Sequence, residues 1–423
     1  MYDQSFNKKS LAKVFQRHDF HGIQDASGKE AFIEASLLKG LEFANLKFGA
    51  STNPLRGFNL LGKRVFMFSD FGGELIGRKL NENLKRCYKS NSSGRSQIVL
   101  NLKMLLAEGA PLRVYRLDIK SFYESFDSKH VISAVNKLHL LSFQSKELIG
   151  DLLKCHLPLG GSGVPRGLAI SATLSDFLMS SFDEVIRGKR DVFYYSRYVD
   201  DIIVVTSARE DDALFVRNLE RALPVGLRLN RSKKQIETAP GKVNPYKNNA
   251  SPPRVFKFDY LGYEFSVYEP NKDPKKKSPG DQFRDVKVDI AEKKIIRFKT
   301  RISRSMLDYG KTADFELLVD RIKFLTKNFS VYNFKAGGKK VAGIFHSYPL
   351  VTEDALGLRL LDNYLKNAIL SKNGRLNKSS SINLSGSERR ILLSQSFVKG
   401  HAEKSFVHFS GVRLKEIQLC WKN

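Results

Sequence analysis

Cysteine is scarce in this chain of 423 residues: Cys87, Cys155 and Cys420 are scattered and odd in number. Neither a disulfide framework nor a zinc knuckle fits that pattern. Long apolar runs are lacking too. None approaches the roughly 20 residues of a membrane span, and the opening "MYDQSFNKKSLAKVFQRHDF" has no signal-peptide hydrophobic core. The expectation is therefore a soluble cytoplasmic protein. Acidic side chains are the third shortage, 44 Asp and Glu against 71 Lys and Arg, for a formal net charge of +27. Such an excess fits a polyanion partner, and nucleic acid fits better than a membrane surface. With 42% hydrophobic residues the chain can bury a core, as two or three domains or as one domain with large appendages. It carries no internal repeat of solenoid length.

What the chain does contain is an unusual placement of acid. In "YYSRYVDDIIVV", residues 194–205, Asp200 and Asp201 interrupt an apolar, strand-forming run. Burying two carboxylates without a counter-charge is costly, so a tight turn between two strands with a cation nearby is expected. "AREDDALF" supplies an internal control, because Asp211 and Asp212 read as an exposed helix start. Upstream, "LRVYRLDIKSFY" reads as a strand that ends in Asp118. Strand, helices and then hairpin is the layout of a split βαβ fold, in which the hairpin pairs beside the earlier strand. Asp118 and the turn carboxylates then converge at one sheet end. Taken alone, Asp118 also reads as a helix N-cap. Mg²⁺ takes one or two protein carboxylates and leaves positions for water and phosphate. Two such ions serve an in-line displacement.

The surrounding segments have readable character. "RVFMF" suggests a strand, "ELIGRKLNENLKRCY" a helix, and "KSNSSGRS" a loop. Helices fill 127–156, and "LPLGGSGVPRGLAISATLSDFLMSSFDEVI" is a Gly-rich loop entering a helix. "LRLNRSKKQIET" and "FKFDYLGYEFSVY" are strand-forming, and "EPNKDPKKKSPGDQ" reads as a solvated loop. From about residue 289 the chain turns to basic helices, followed by the polar tract "SKNGRLNKSSSINLSGSE" and a tail with Trp421.

Together these stretches resemble the palm of reverse transcriptases over about residues 55–300. "YVDD" (198–201) matches the Tyr-x-Asp-Asp signature, and "RLDIKSFYESFD" is similar to the first catalytic motif. "GSGVPRGLAISATLSDFLM", "LNRSKKQ" and "DYLGYEF" follow in family order. The resemblance implies an α+β, right-hand polymerase with fingers, a ferredoxin-like palm sheet and a C-terminal helical thumb. The corresponding division is 1–115 for the N-terminal segment and fingers, 116–288 for the palm, and 289–423 for the thumb and tail. It also implies that Asp118, Asp200 and Asp201 are catalytic and, with the Ile119 carbonyl, hold two Mg²⁺ ions, with Mn²⁺ as the substitute. Tyr123 stands where an aromatic collides with a ribose 2′-OH, although a core role also suits it. Lys233 fits a cation near the leaving pyrophosphate or a plain phosphate or solvent contact. Arg64, Arg78 and Arg95 are candidates to clamp the triphosphate or to touch template backbone. Tyr198, Val199 and Gly167 would border primer and template, and Tyr260, Leu261 and Gly262 would grip the primer.

One departure stands out. Pro-Gln-Gly is usual in the Gly-rich motif, whereas "VPRG" puts Arg166 in place of Gln. An Arg there is a candidate dNTP-binding residue that would reach a phosphate or a base acceptor in place of the ordinary contact to the templating base pair. "FYES" and "RGLAIS" are similar instead to bacterial, defence-associated relatives of retron enzymes. That resemblance implies an antiphage role, a dedicated noncoding RNA as template, a DNA primer or product, and a second reverse transcriptase or a homo-oligomer as partner. An RNA-templated RNA polymerase, an untemplated or protein-primed DNA polymerase, and a catalytically idle nucleic-acid-binding scaffold are the competing readings. The basic helices after 289 would hold duplex through phosphate contacts, and Phe298, Tyr309 and Phe324 read as core.

Overall fold

The computed structural model describes residues 2–23, 25–48, 53–89, 93–241, 253–269, 283–333, 338–371 and 382–422. Its contacts form two compact units, neither continuous in sequence: Met1–Gly94 with Pro111–Thr238, and Arg95–Ala110 with Ala239–Asn423.

The first unit opens with α1 (Lys8–Ala12), α2 (Ala26–Asn45), the hairpin β1 (Leu55–Leu60) and β2 (Lys63–Phe68), and α3 (Phe71–Cys87). Helix α4 (Arg95–Leu106) belongs to the second unit. The first then resumes with β3 (Leu112–Asp118), α5 (Ser128–Asn136), α6 (Phe143–Cys155), α7 (Ala169–Leu178) and α8 (Ser180–Arg187). It closes with the hairpin β4 (Val192–Tyr198) and β5 (Asp201–Thr206), α9 (Asp212–Ala222) and β6 (Gln235–Ala239). The sheet order is β4-β5-β3-β6, with β5 antiparallel to both neighbours. The hairpin thus inserts beside the earlier strand, as the split layout expects. Ile202 and Val204 of β5 and Tyr115 and Leu117 of β3 are buried in one core with Leu174 of α7 and Phe182 of α8. Burial of that kind explains why β5 reads as an unbroken β-branched run rather than an alternating one. The control pair behaves as expected, since Asp211 caps α9 by accepting from the Leu214 N–H at 2.7 Å.

The second unit holds α4, the meander β7 (Arg254–Tyr260), β8 (Tyr263–Tyr268) and β9 (Asp285–Ile290), then α10 (Glu292–Thr312) and α11 (Phe315–Thr326). It continues through β10 (Asn328–Asn333), β11 (Gly338–Gly343), α12 (Ile344–Ser347) and α13 (Gly357–Leu370). Last come α14 (Gly386–Leu393), α15 (Phe397–Ala402), β12 (Phe406–Val407) and α16 (Gly411–Leu419). Phe324 stacks on Phe329 and packs against Phe409 and Trp421, and Tyr309 is buried, so these aromatics are core.

Several expectations shift. "LRLNRSKKQIET" is not one strand: a 3₁₀ turn at Arg231–Lys233 precedes β6. The region after 289 is not wholly helical, because β10, β11 and β12 form a sheet there. Arg95 opens α4 instead of sitting in a loop. The compact units themselves part at 94/95, 110/111 and 238/239. Helix α4 leaves its sequence neighbours because Arg284 ties its end down, donating to the Glu108 and Ala110 carbonyls. Most of the "KKK" loop and of the polar tract after 371 lies outside the described residues.

Candidate active site

Three acids meet at one end of the first unit's sheet. Asp118 is the last residue of β3, and the β3–β5 register sets it directly opposite Asp201. The Ile119 N–H donates to the Asp200 carbonyl at 3.1 Å, stitching the strand end to the turn. Tyr198 also pairs with Asp201, so Val199 and Asp200 form a two-residue hairpin turn. Val199 takes φ 61°. A β-branched side chain is strained there, so its surroundings must hold it. Arg197 does so: its guanidinium donates to the Val199 carbonyl at 3.1 Å, and to Asp183 at 2.9 and 2.7 Å and Asp176 at 2.9 Å.

The electrostatics are those of crowded acid. Asp201 is pushed from its ordinary 3.8 up to about 6, first by burial and then by Asp200 and Asp118, with Arg116 and Lys233 opposing. The Asp118 carboxylate accepts from Lys233 Nζ at 2.9 Å and from Asn230 Nδ2 at 2.9 Å. Among the described residues no group of three or more His, Cys, Asp or Glu side chains stands in metal-holding geometry. The Asp118 oxygens are turned instead to Lys233 and Asn230. The donor chemistry nevertheless fits a hard divalent cation, since all three side chains offer carboxylate oxygen. Their mutual repulsion is what such a cation relieves.

The other expected residues distribute unevenly. Arg64, on β2, lines an open cavity of about 420 Å³ with Asp118, Asp200 and Lys233, and donates to the Leu159 carbonyl at 3.0 Å. Arg78 is not brought there: it spends its donors on Asp19, at 2.7 and 2.9 Å, and on Glu74 at 3.0 Å. Tyr123 lines a second cavity, of about 490 Å³, with Tyr198, Val199, Ser175 and Asp176. Arg166 forms a bidentate pair with Glu124 at 2.8 and 3.1 Å, and its Cζ lies 4.9 Å from the Tyr123 ring centroid. Gly167 has φ 109°, and a Cβ there would come within 2.5 Å of the Phe66 carbonyl. Only glycine therefore lets the motif lie against β2.

Arg95, Tyr260, Leu261 and Gly262 belong to the second unit. Leu261 (φ 48°) and Gly262 (φ 82°) make the tight turn between β7 and β8, with the positive φ at both positions that two-residue hairpins favour. Arg95 donates to the Leu261 carbonyl at 2.9 Å and to the Ser347 carbonyl at 2.7 Å, and stacks over Tyr263. It is thus a brace for this turn. Lys294 and Arg301 of α10 are both pushed down, first by burial and then by neighbouring cations that include Arg297. Sequence reasoning missed this cluster, and it missed Glu124, Arg197 and Asn230. Only "RLNRSKK" carried a signal for Asn230, three positions before Lys233.

Residues 75–265 match the family model described as reverse transcriptase (RNA-dependent DNA polymerase). No curated protein matches the chain. Among solved structures it is similar to apo telomerase from Candida tropicalis truncated from the C-terminal domain, at 14% identity over 45% of this chain and 43% of that one, with a TM-score of 0.29. It is also similar to telomerase from Candida albicans in complex with a TWJ fragment of telomeric RNA, at 13% identity over 82% and 57%, with a TM-score of 0.32. The chain spans about half the length of these two structures. Mixed helix and sheet around a reverse transcriptase domain is consistent with the right-hand polymerase fold. The segment that carries the three acids thus matches a reverse transcriptase domain, and such a domain indicates a nucleotidyltransferase, an RNA-directed DNA polymerase.

Proposed function

We propose that the chain is an RNA-directed DNA polymerase that extends a 3′-hydroxyl with deoxynucleoside triphosphates on an RNA template. The observation that carries this reading is Asp118 set opposite Asp201 across β3 and β5, with Asp200 in the adjoining turn. Asp118, Asp200, Asp201 and the Ile119 carbonyl would hold two divalent ions, Mg²⁺ or in its place Mn²⁺, which supply activation of the hydroxyl and neutralisation of phosphate charge. Lys233 sits on Asp118 at 2.9 Å and is available to exchange that contact for a triphosphate oxygen. Arg64 borders the same cavity. Tyr123 excludes a 2′-hydroxyl from the neighbouring one. Residues 1–115 act as N-terminal segment and fingers, 116–288 as palm, and 289–423 as thumb and tail. Lys294, Arg297 and Arg301 give phosphate contacts there, alongside a primer grip at Tyr260, Leu261 and Gly262.

The biological assignment is a bacterial, cytoplasmic, retron-related enzyme of antiphage defence, copying a dedicated noncoding RNA, alone or with a second polymerase chain. It is supported by "FYES" and "RGLAIS", while the +27 charge supports only a nucleic-acid partner. Two experiments test these readings. On a primed RNA with Mg²⁺, the purified protein should incorporate deoxynucleotides in preference to ribonucleotides. Tyr123→Ala should raise ribonucleotide use; preferred ribonucleotide incorporation by the wild type would assign an RNA polymerase instead. Sequencing the nucleic acid that copurifies from the native host should return one structured RNA with complementary DNA. A random RNA population would refute the dedicated template.

A further inference from the structure

The Tyr123 ring is held by neighbouring side chains although it lies beside an open cavity. Phe122 meets it edge-on at 5.2 Å, and the Arg166 guanidinium lies 4.9 Å from its centroid. Arg166 cannot swing away freely, because the next residue after the ring, Glu124, takes it bidentately at 2.8 and 3.1 Å. Its own backbone is pinned as well, with the Arg166 carbonyl accepting from the Phe66 N–H at 2.8 Å. On the other side, the Val164 N–H donates to the Tyr123 carbonyl at 2.8 Å. A Cβ on Gly163 would fall 2.3 Å from that carbonyl, so the motif can close on Tyr123 only with glycine there. A guanidinium held at an aromatic face is attracted to the ring's quadrupole, and a planar fork on a carboxylate fixes its orientation.

We propose that Arg166 and Glu124 are positioning residues for sugar selection: as a clamp they hold the Tyr123 ring at the place where it collides with a ribose 2′-hydroxyl. This rests on the polymerase reading above. The substitution of Arg for the Gln that resembling motifs carry then has a purpose at this position, since Gln supplies neither the charge for the ring face nor the fork for Glu124.

The test is the ratio of deoxynucleotide to ribonucleotide incorporation efficiency, measured as kcat/KM on one primed RNA. Arg166→Gln and Glu124→Gln should each lower that ratio roughly 2- to 30-fold, the range a cation–π contact spans. The double variant should be no worse than either single, because the pair acts as a unit. In a Tyr123→Ala background, Arg166→Gln should change the ratio no further. The charge swap Glu124→Arg with Arg166→Glu restores the pair but sets a carboxylate on the ring face, and it should recover thermal stability without recovering the ratio. Arg166→Lys keeps the cation without the fork, and an intermediate ratio is expected even if the Gln variant fails to fold. An unchanged ratio in both singles, or an equal effect with and without the Tyr123 ring, would overturn the clamp. Wild-type protein that extends with neither nucleotide class would instead remove the polymerase reading, and the clamp with it.

Discussion

Replacing Asp201 with Asn should stabilise the metal-free protein while ending its chemistry. Asp201 is only partly buried, yet its carboxyl is raised from 3.8 to about 6 by burial, Asp200 and Asp118. Between those values the folded chain keeps a proton that the unfolded chain has lost. Stability therefore falls as pH rises from about 4 to about 6, and above that the full penalty is present. Two pKa units at about 1.4 kcal/mol each give about 3 kcal/mol, and solvent screening of a partly exposed group brings the expected effect to about 1–2 kcal/mol. Urea unfolding of wild type and Asp201→Asn, both stripped with chelator, should show the variant ahead by that amount at pH 8 and nearly level at pH 4. Adding Mg²⁺ at pH 8 should narrow or invert the gap, because the ion favours the charged site. Equal stability at pH 8, or a variant less stable than wild type there, would refute the crowded-carboxylate account.

Two further outcomes follow from contacts in the separate units. Arg197→Met leaves Asp183 charged and almost enclosed, with side-chain exposures of 5% and 11% for the pair. A loss of about 3–5 kcal/mol in urea unfolding is expected. Asp183→Asn in the same chain should recover part of it, and no loss would mean the network is idle. Lys294→Ala should weaken nucleic-acid binding evenly across sequences and lower the salt slope by about 1, read from binding titrations at several salt concentrations.

The acids were legible in the sequence because chemistry makes them conspicuous: two carboxylates inside an apolar run have few uses other than a turn at a sheet end. Asp118 was legible because β3 ends on it, and the register follows once the hairpin inserts beside that strand. The braces were not. Arg78, Arg95 and Arg166 look alike in sequence, yet Arg78 pairs with Asp19, Arg95 with carbonyls of its own unit, and Arg166 with Glu124. A guanidinium's partner depends on which long-range contacts the fold creates, and local spacing carries no record of them. The β10–β11–β12 sheet was missed for a related reason: its third strand is only Phe406–Val407, too short to show a period. The unit boundary near residue 94 was hidden because α4 continues the chain's composition while packing with residues far downstream.

The central claim is that the three acids at the β3–β5 end carry out metal-dependent DNA synthesis. The most direct measurement is extension of a primed RNA by wild type and by the Asp200→Ala, Asp201→Ala double variant, with RNA affinity measured on the same preparations. Mg²⁺-dependent extension by the wild type, its abolition in the variant and an RNA affinity within a few-fold of wild type are predicted. Extension that survives the double substitution would contradict the claim.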